Sequence, residues 1–234
     1  MLKKIFVIFL LSIFSTEAQI ENIINNLTNK KNQTISEEEI SNGIKEALNI
    51  GVVKSCENAS NTNGFLKNDL IKIKFPKEAK KVKKSLVKIG LKNQVNDFVT
   101  SMNRAAEEAS KEASNILLDA IKKMSIKDAV NILKGDNDSA TNYLHQESNE
   151  EFREIFKPII QKSISNNKVA ANWKKIMTTY NSIPMTKKIN PDIDSYILEK
   201  TIDGIFTLIA QEEKKIRENP KERVTDLLQK VFNI

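Results

Sequence analysis

The chain has 234 residues with one cysteine and one histidine, and its 37 basic against 30 acidic side chains leave a net charge of +7. A single thiol excludes an internal disulfide framework, and a single imidazole excludes a histidine-based metal cluster. With 40% hydrophobic residues there is enough apolar material for a real core, while 6 glycines scattered singly exclude a glycine-rich phosphate loop.

At the start, "MLKK" supplies positive charge, "IFVIFLLSIF" is a short apolar run and "STEA" offers small residues at Thr16 and Ala18. That succession reads as a secretory signal peptide, residues 1–18, cleaved after Ala18 to leave Gln19 first. The run is far shorter than the ~20 residues needed to cross a bilayer, so an uncleaved anchor is the lesser reading. The mature chain is therefore expected in the periplasm or outside the cell. Residues 19–35 read as an N-terminal arm or short helix, and residues 36–234 as a single all-helical domain with no further membrane span. Cys56 is too far from the cleavage site to be a lipid-modified first residue and reads as a small apolar group on a helix.

From Ser36 on, cap and terminator signals recur. Ser36 with Glu39 opens a helix whose Ile40, Ile44, Ala47, Leu48, Gly51 and Ser55 share a face, and "NTNG" stops it. Pro76 is expected to open a second helix ending at Gly90, with Val82, Leu86 and Ile89 on one side. Ser125 with Asp128 and Gly135 bracket a short helix, and Ser148 with Glu151 start another that Pro158 should kink. "NSIPMTKKINPD" reads as a loop before the last helical group. The exception is "DLIKIKFP", where Ile71, Ile73 and Phe75 alternate with Lys72 and Lys74. A lone period-two run has no strand partner, so Asp69–Phe75 is expected as an extended connector laying its apolar side on the helices, or as a small hairpin. The fold class is all-α, with about eight to ten helices.

The segments "GIKEALNIG", "GFLKNDLIKIKFP", "MNRAAEEA", "DAVNILKGDNDSATNYL", "FKPII" and "DGIFTLIAQEEKKIRENPKERVTDLLQKVF", in that order, resemble the bacterial domain-of-unknown-function family numbered 4197. The resemblance covers about Ile40 to Phe232. It implies an exported, helical protein and no particular activity. Many relatives carry a proline near Ser110 or Lys111, which leaves open whether one helix or two run from Gln94 to Met124.

Charge gives the first functional expectation. From Lys67 to Lys92 ten lysines stand against Asp69 and Glu78 alone, and the patch comprises Lys72, Lys74, Lys77, Lys80, Lys81, Lys83, Lys84 and Lys88. Such a surface suits anionic lipid or an envelope polymer. Nucleic acid fits poorly, because the patch has no arginine and only Phe75 as an aromatic. A solvated, solubilising helix face is the bland reading. The inventory for catalysis is thin. His145 reads as a helix-end imidazole at the negative pole, and Trp173 and Tyr180, seven apart, as core aromatics. No cofactor, metal or catalytic set emerges, so the reading is a non-catalytic binding or scaffold protein for an anionic or amphipathic envelope component. The alternative is an enzyme of unknown reaction using clustered carboxylates and arginine in an interhelical cleft.

Two stretches carry charges near apolar stripes. Leu198, Ile202, Ile205, Ile209 and Ile216 form one stripe, with Glu212 and Glu213 on its margins and Arg217 four residues beyond Glu213, the favourable order for a helical ion pair. Val95, Phe98, Val99, Met102, Ala106 and Ala109 form another, with Asn103 at its edge. Arg104 lies roughly 180° from Val95, so on an isolated helix it is solvated and pairs with Glu107 or Glu108. Anything more needs a second layer over that outer face. The expectation is one polar cluster between helices, uniting Asn103, Arg104 and Glu107 with Glu212, Glu213, Arg217, Thr141 and Tyr143, as a candidate ligand site.

Overall fold

The computed structural model describes residues 35–185, 189 and 191–233. The expected leader, residues 1–18, and all but the last residue of the expected arm lie outside them. Among the described residues there are no strands, and the α-helices are α1 (Glu37–Ser60), α2 (Lys80–Lys88), α3 (Lys92–Lys122), α4 (Ile126–Leu133), α5 (Ser139–Asn166), α6 (Val169–Asn181), α7 (Ile193–Glu218) and α8 (Asp226–Val231). A 3-10 turn, Pro220–Glu222, joins the last two. None of these helices is long and apolar enough to cross a membrane.

The fold is organised about α3, which spans roughly 46 Å at 1.5 Å per residue. It contains no proline or glycine, and it runs unbroken through Ser110 and Lys111, settling that both belong to one helix. Its Ala105, Ala106, Ala109 and Ala113 are all fully buried. Side chains that small let neighbouring backbones come close, and α1, α5, α6 and α7 all pack against α3. One apolar cluster then continues from Ile44 on α1 to Ile209 on α7. Trp173 and Tyr180 are in it, with the Trp173 ring 4.9 Å from that of Phe98. Cys56 is buried too, and desolvation pushes its thiol up to about 12, so it acts as an apolar group.

Several local expectations hold and others give way to tertiary packing. Ser125 and Asp128 form the reciprocal capping box at the start of α4. Gly90 follows α2 in the left-handed region, at φ 84°, which a side chain would disfavour. Pro76, however, begins a turn rather than a helix: Ala79 and Lys80 donate back to the Pro76 and Lys77 carbonyls, and α2 starts only at Lys80. Ser148 is not a cap. It is buried inside α5, where its hydroxyl donates to the Leu144 carbonyl one turn back. The helix therefore starts at Ser139 and also continues through Pro158. His145 likewise lies within α5, towards its N-terminal half, with its ring edge-on to Phe206 at 4.6 Å. The aromatic contact, not a helix pole, accounts for its position.

Candidate functional site

Between α1 and α2 the chain crosses the outer face of α3 as an irregular connector. Ile71, Ile73 and Phe75 turn inward and are buried, and Phe75 meets Phe98 edge-on at 5.5 Å. Phe65 enters against α7 where Gly204 leaves room, since a Cβ there would sit 2.6 Å from the Phe65 ring. The period-two pattern thus describes an extended segment with no strand beside it. Its missing partner is a side chain.

That side chain is Asn103. Its Oδ1 accepts from the Ile73 N–H at 2.9 Å, and its Nδ2 donates to the Ile73 carbonyl at 2.9 Å and to Val99 O at 2.7 Å. One fully buried amide therefore satisfies both backbone groups of Ile73, as a neighbouring strand would. One turn on, Glu107 Oε1 accepts from the Phe65 and Leu66 N–H groups at 3.2 and 3.1 Å. Its other oxygen accepts from Arg104, whose second terminal nitrogen donates to Asn63 Oδ1 at 3.0 Å. Asn63 itself holds φ 72°, a backbone region that asparagine tolerates better than most residues. Isolated-helix geometry correctly turns Arg104 outward and pairs it with Glu107. The connector is the second layer that makes the pair structural.

Because Ile73 is pinned facing in, Lys72 and Lys74 on either side of it face out. Tyr196 of α7 donates its hydroxyl to the Lys74 carbonyl at 2.9 Å. Around these residues opens a basin of about 620 Å³, lined by Lys72, Lys74, Lys77, Lys80, Lys83 and Lys200 together with Tyr196, Leu70 and Asp69. Lys80, Lys83, Lys84, Val87 and Lys88 continue it as the outer stripe of α2, while Val82 and Leu86 face the core. Among the described residues none of the eight predicted patch lysines makes an ion pair; of the basin's lysines only Lys200 does, with Asp203 at 2.7 Å. Large apolar side chains stand among these charges, with Leu70 at 66%, Ile89 at 52% and Val87 at 42% exposure.

The remaining predicted polar residues form separate networks that share no member with this one. Glu213 accepts from the Ala140 and Thr141 N–H groups at 2.9 and 2.8 Å and from the Thr141 hydroxyl at 2.7 Å. Those are orphan donors in the first turn of α5, where Asp138 provides no side-chain cap. Arg217 pairs with Glu213 at 2.9 Å and donates to the Ile132 and Leu133 carbonyls at the end of α4. The ion pair thus places an anion on one helix's positive pole and a cation on another's negative pole. Glu212, on the other margin of the stripe, binds Lys54 and Lys215. Burial opposes its ionisation, but hydrogen bonds from Lys215 and Lys54 outweigh that and hold the carboxyl below its ordinary range. Tyr143 donates to Asp128 at 3.1 Å instead of joining Glu213, and desolvation with that partner raises its hydroxyl to about 12. The expected single cluster is therefore four networks, each tying one set of elements. Arg104 does not meet Glu213 because each is satisfied elsewhere, Arg104 by the Glu107 and Asn63 side chains and Glu213 by the first turn of α5 and Arg217.

A single family model spans the chain from its first described helix to its last. The chain belongs to the DUF4197 family. The family model, described as a protein of unknown function, matches residues 34–233, almost all of the described chain. No curated protein and no solved structure matches it. Within this DUF4197 chain, the oxygens of Glu107 and Glu213 are taken up by backbone N–H groups and arginine. Beside Glu213 lies an apolar gap of about 10 Å³ lined by Phe232 among others, room for about one water. The lysine basin, by contrast, is an open, charged concavity. Sequence reasoning found the connector and α2 lysines in it but missed Tyr196 and Lys200, whose one-turn spacing on α7 gives no hint of where they point.

Proposed function

We propose that this DUF4197 protein is exported by its N-terminal leader and attaches, without catalysis, to an anionic, amphipathic surface of the envelope through its lysine-rich face. The observation that carries the reading is the combination on that face: five patch lysines, without an ion pair among the described residues, line the basin, Lys84 and Lys88 extend it along α2, and Leu70, Val87 and Ile89 are exposed nearby. A merely solubilising surface has use for the charges and none for the apolar side chains. Anionic membranes attract lysines near the headgroups and reward apolar groups that pass below them. The face offers no arginine, Phe75 is buried and the Tyr196 hydroxyl is bonded to the Lys74 carbonyl, so base reading lacks its usual side chains and Tyr196 alone offers a ring for stacking.

Chain recovered from the envelope, with an intact mass beginning at Gln19, should co-sediment with anionic vesicles at low salt. Neutral vesicles should leave it in solution. Binding should fall as the Debye length contracts from ~10 Å at 0.1 M to ~3 Å at 1 M. Replacing Lys80, Lys81, Lys83 and Lys84 by glutamine should abolish sedimentation and leave the circular-dichroism spectrum unchanged. Undiminished binding by that variant would reject the face as the contact surface.

A further inference from the structure

We propose that the basin is a headgroup site for a membrane lipid bearing a phosphomonoester, with Leu70 and Val87 entering the acyl layer beside it. The inference rests on the membrane-contact reading above and narrows its partner. The lysines come from three parts of the chain: Lys72 and Lys74 from the connector, Lys77, Lys80 and Lys83 from the following turn and α2, and Lys200 from α7. Charges that are neighbours only by sequence spread along one helix. These converge on one concavity, facing a single carboxylate, Asp69.

Five lysines that border one basin and form no ion pair among the described residues concentrate positive charge there, and like charges repel. A multivalent anion removes that repulsion, and a monovalent one does so only in part. A phosphomonoester carries between one and a half and two negative charges near neutral pH and presents three terminal oxygens. A phosphodiester carries one charge and two free oxygens. Lysine is a compact, strongly hydrated point charge with three rotatable donors, so a basin without arginine favours dense charge over planar, bidentate geometry.

The backbone around the basin is held in advance. Asn103 fixes Ile73 between Lys72 and Lys74, and the Tyr196 hydroxyl holds the Lys74 carbonyl. Ordering of these segments is therefore not required at the moment of binding. The exposed Leu70 lines the basin, and Val87 stands one helical turn from Lys83 and Lys84 on the outer stripe of α2. A free phosphate would engage the ammonium groups and leave both apolar side chains in water. That asymmetry selects a lipid as the source of the phosphate.

The test uses the mature chain with phosphatidylcholine vesicles doped with either phosphatidic acid or phosphatidylglycerol, adjusted to equal surface potential. Affinity for the phosphatidic acid vesicles should be roughly tenfold higher, the scale of one or two additional lysine contacts. In the K72Q/K74Q double variant the preference should vanish while phosphatidylglycerol binding persists through Lys81, Lys84 and Lys88. Equal affinity for both vesicles would overturn the headgroup site and leave the membrane reading standing. Binding to neither would overturn both. A preference that survives in K72Q/K74Q would place the recognition elsewhere on the protein. Release of the chain from vesicles by millimolar inorganic phosphate would make soluble phosphate the ligand and overturn the lipid source.

Discussion

Replacing Glu213 with alanine is expected to destabilise the protein by roughly 3–5 kcal/mol, the cost of stranding a buried charge and its hydrogen-bond partners. Three donors at the start of α5 lose their acceptor together, the Ala140 and Thr141 N–H groups and the Thr141 hydroxyl. Arg217, whose side chain is only 9% exposed, then keeps the α4 carbonyls but loses its counter-charge. A loss of that size is a large share of the 5–15 kcal/mol that stabilises an ordinary domain. Urea unfolding of the Glu213→Ala, Arg217→Met and double variants reads the effect. The double variant should be less destabilised than the sum of the singles, because removing the arginine as well leaves no stranded charge. Strict additivity, or a Glu213→Ala loss below about 1 kcal/mol, would mean that the pair is an ordinary surface contact.

The second large effect belongs to Glu107. Its substitution by alanine orphans the Phe65 and Leu66 N–H groups, each worth about 1–3 kcal/mol when left unsatisfied, so a loss of about 3 kcal/mol is expected. Arg104→Met should cost less, about 1.5 kcal/mol, since the arginine side chain is 31% exposed and the backbone bonds to Glu107 survive it. The two variants separate stability from binding in an informative way. Neither removes a lysine, yet Glu107→Ala releases the connector that presents Lys72 and Lys74, so vesicle binding should weaken as well. Arg104→Met should bind nearly as the parent does, apart from one lost positive charge. If Glu107→Ala binds vesicles at full strength, the connector's placement has no bearing on the contact.

What could be read in advance follows from the range of the interactions concerned. The Ser125–Asp128 box joins positions three apart, and the inward turn of Ile71, Ile73 and Phe75 is written in their alternation, so both are visible in a short window. Burial of Glu212 and Glu213 follows from their places beside an apolar stripe. The Ser148 signal is as good locally as the Ser125 one, and it fails because α5 already has a start at Ser139. There Asp138 can remain without a side-chain cap, since Glu213, more than seventy residues away, supplies the acceptors. Asn103 is the strongest case. A helical wheel marks it only as an edge residue, and nothing within its own helix shows that its amide will replace a missing β-strand for Ile73. The polar residues of "MNRAAEE" have tertiary reasons, but the one cluster expected separates into four networks, because sequence distance says nothing about which distant partner each residue finds.

Helix α3 fastens the connector and thereby presents the basic face. Native-state amide hydrogen exchange at Phe65, Leu66 and Ile73 reads that fastening, because these three N–H groups belong to no helix or strand and, among the described residues, are bonded only to Glu107 and Asn103. They are predicted to exchange slowly, through the same openings that release the amides of α3. Exchange at the rate of an unstructured loop would show that α3 does not hold the connector.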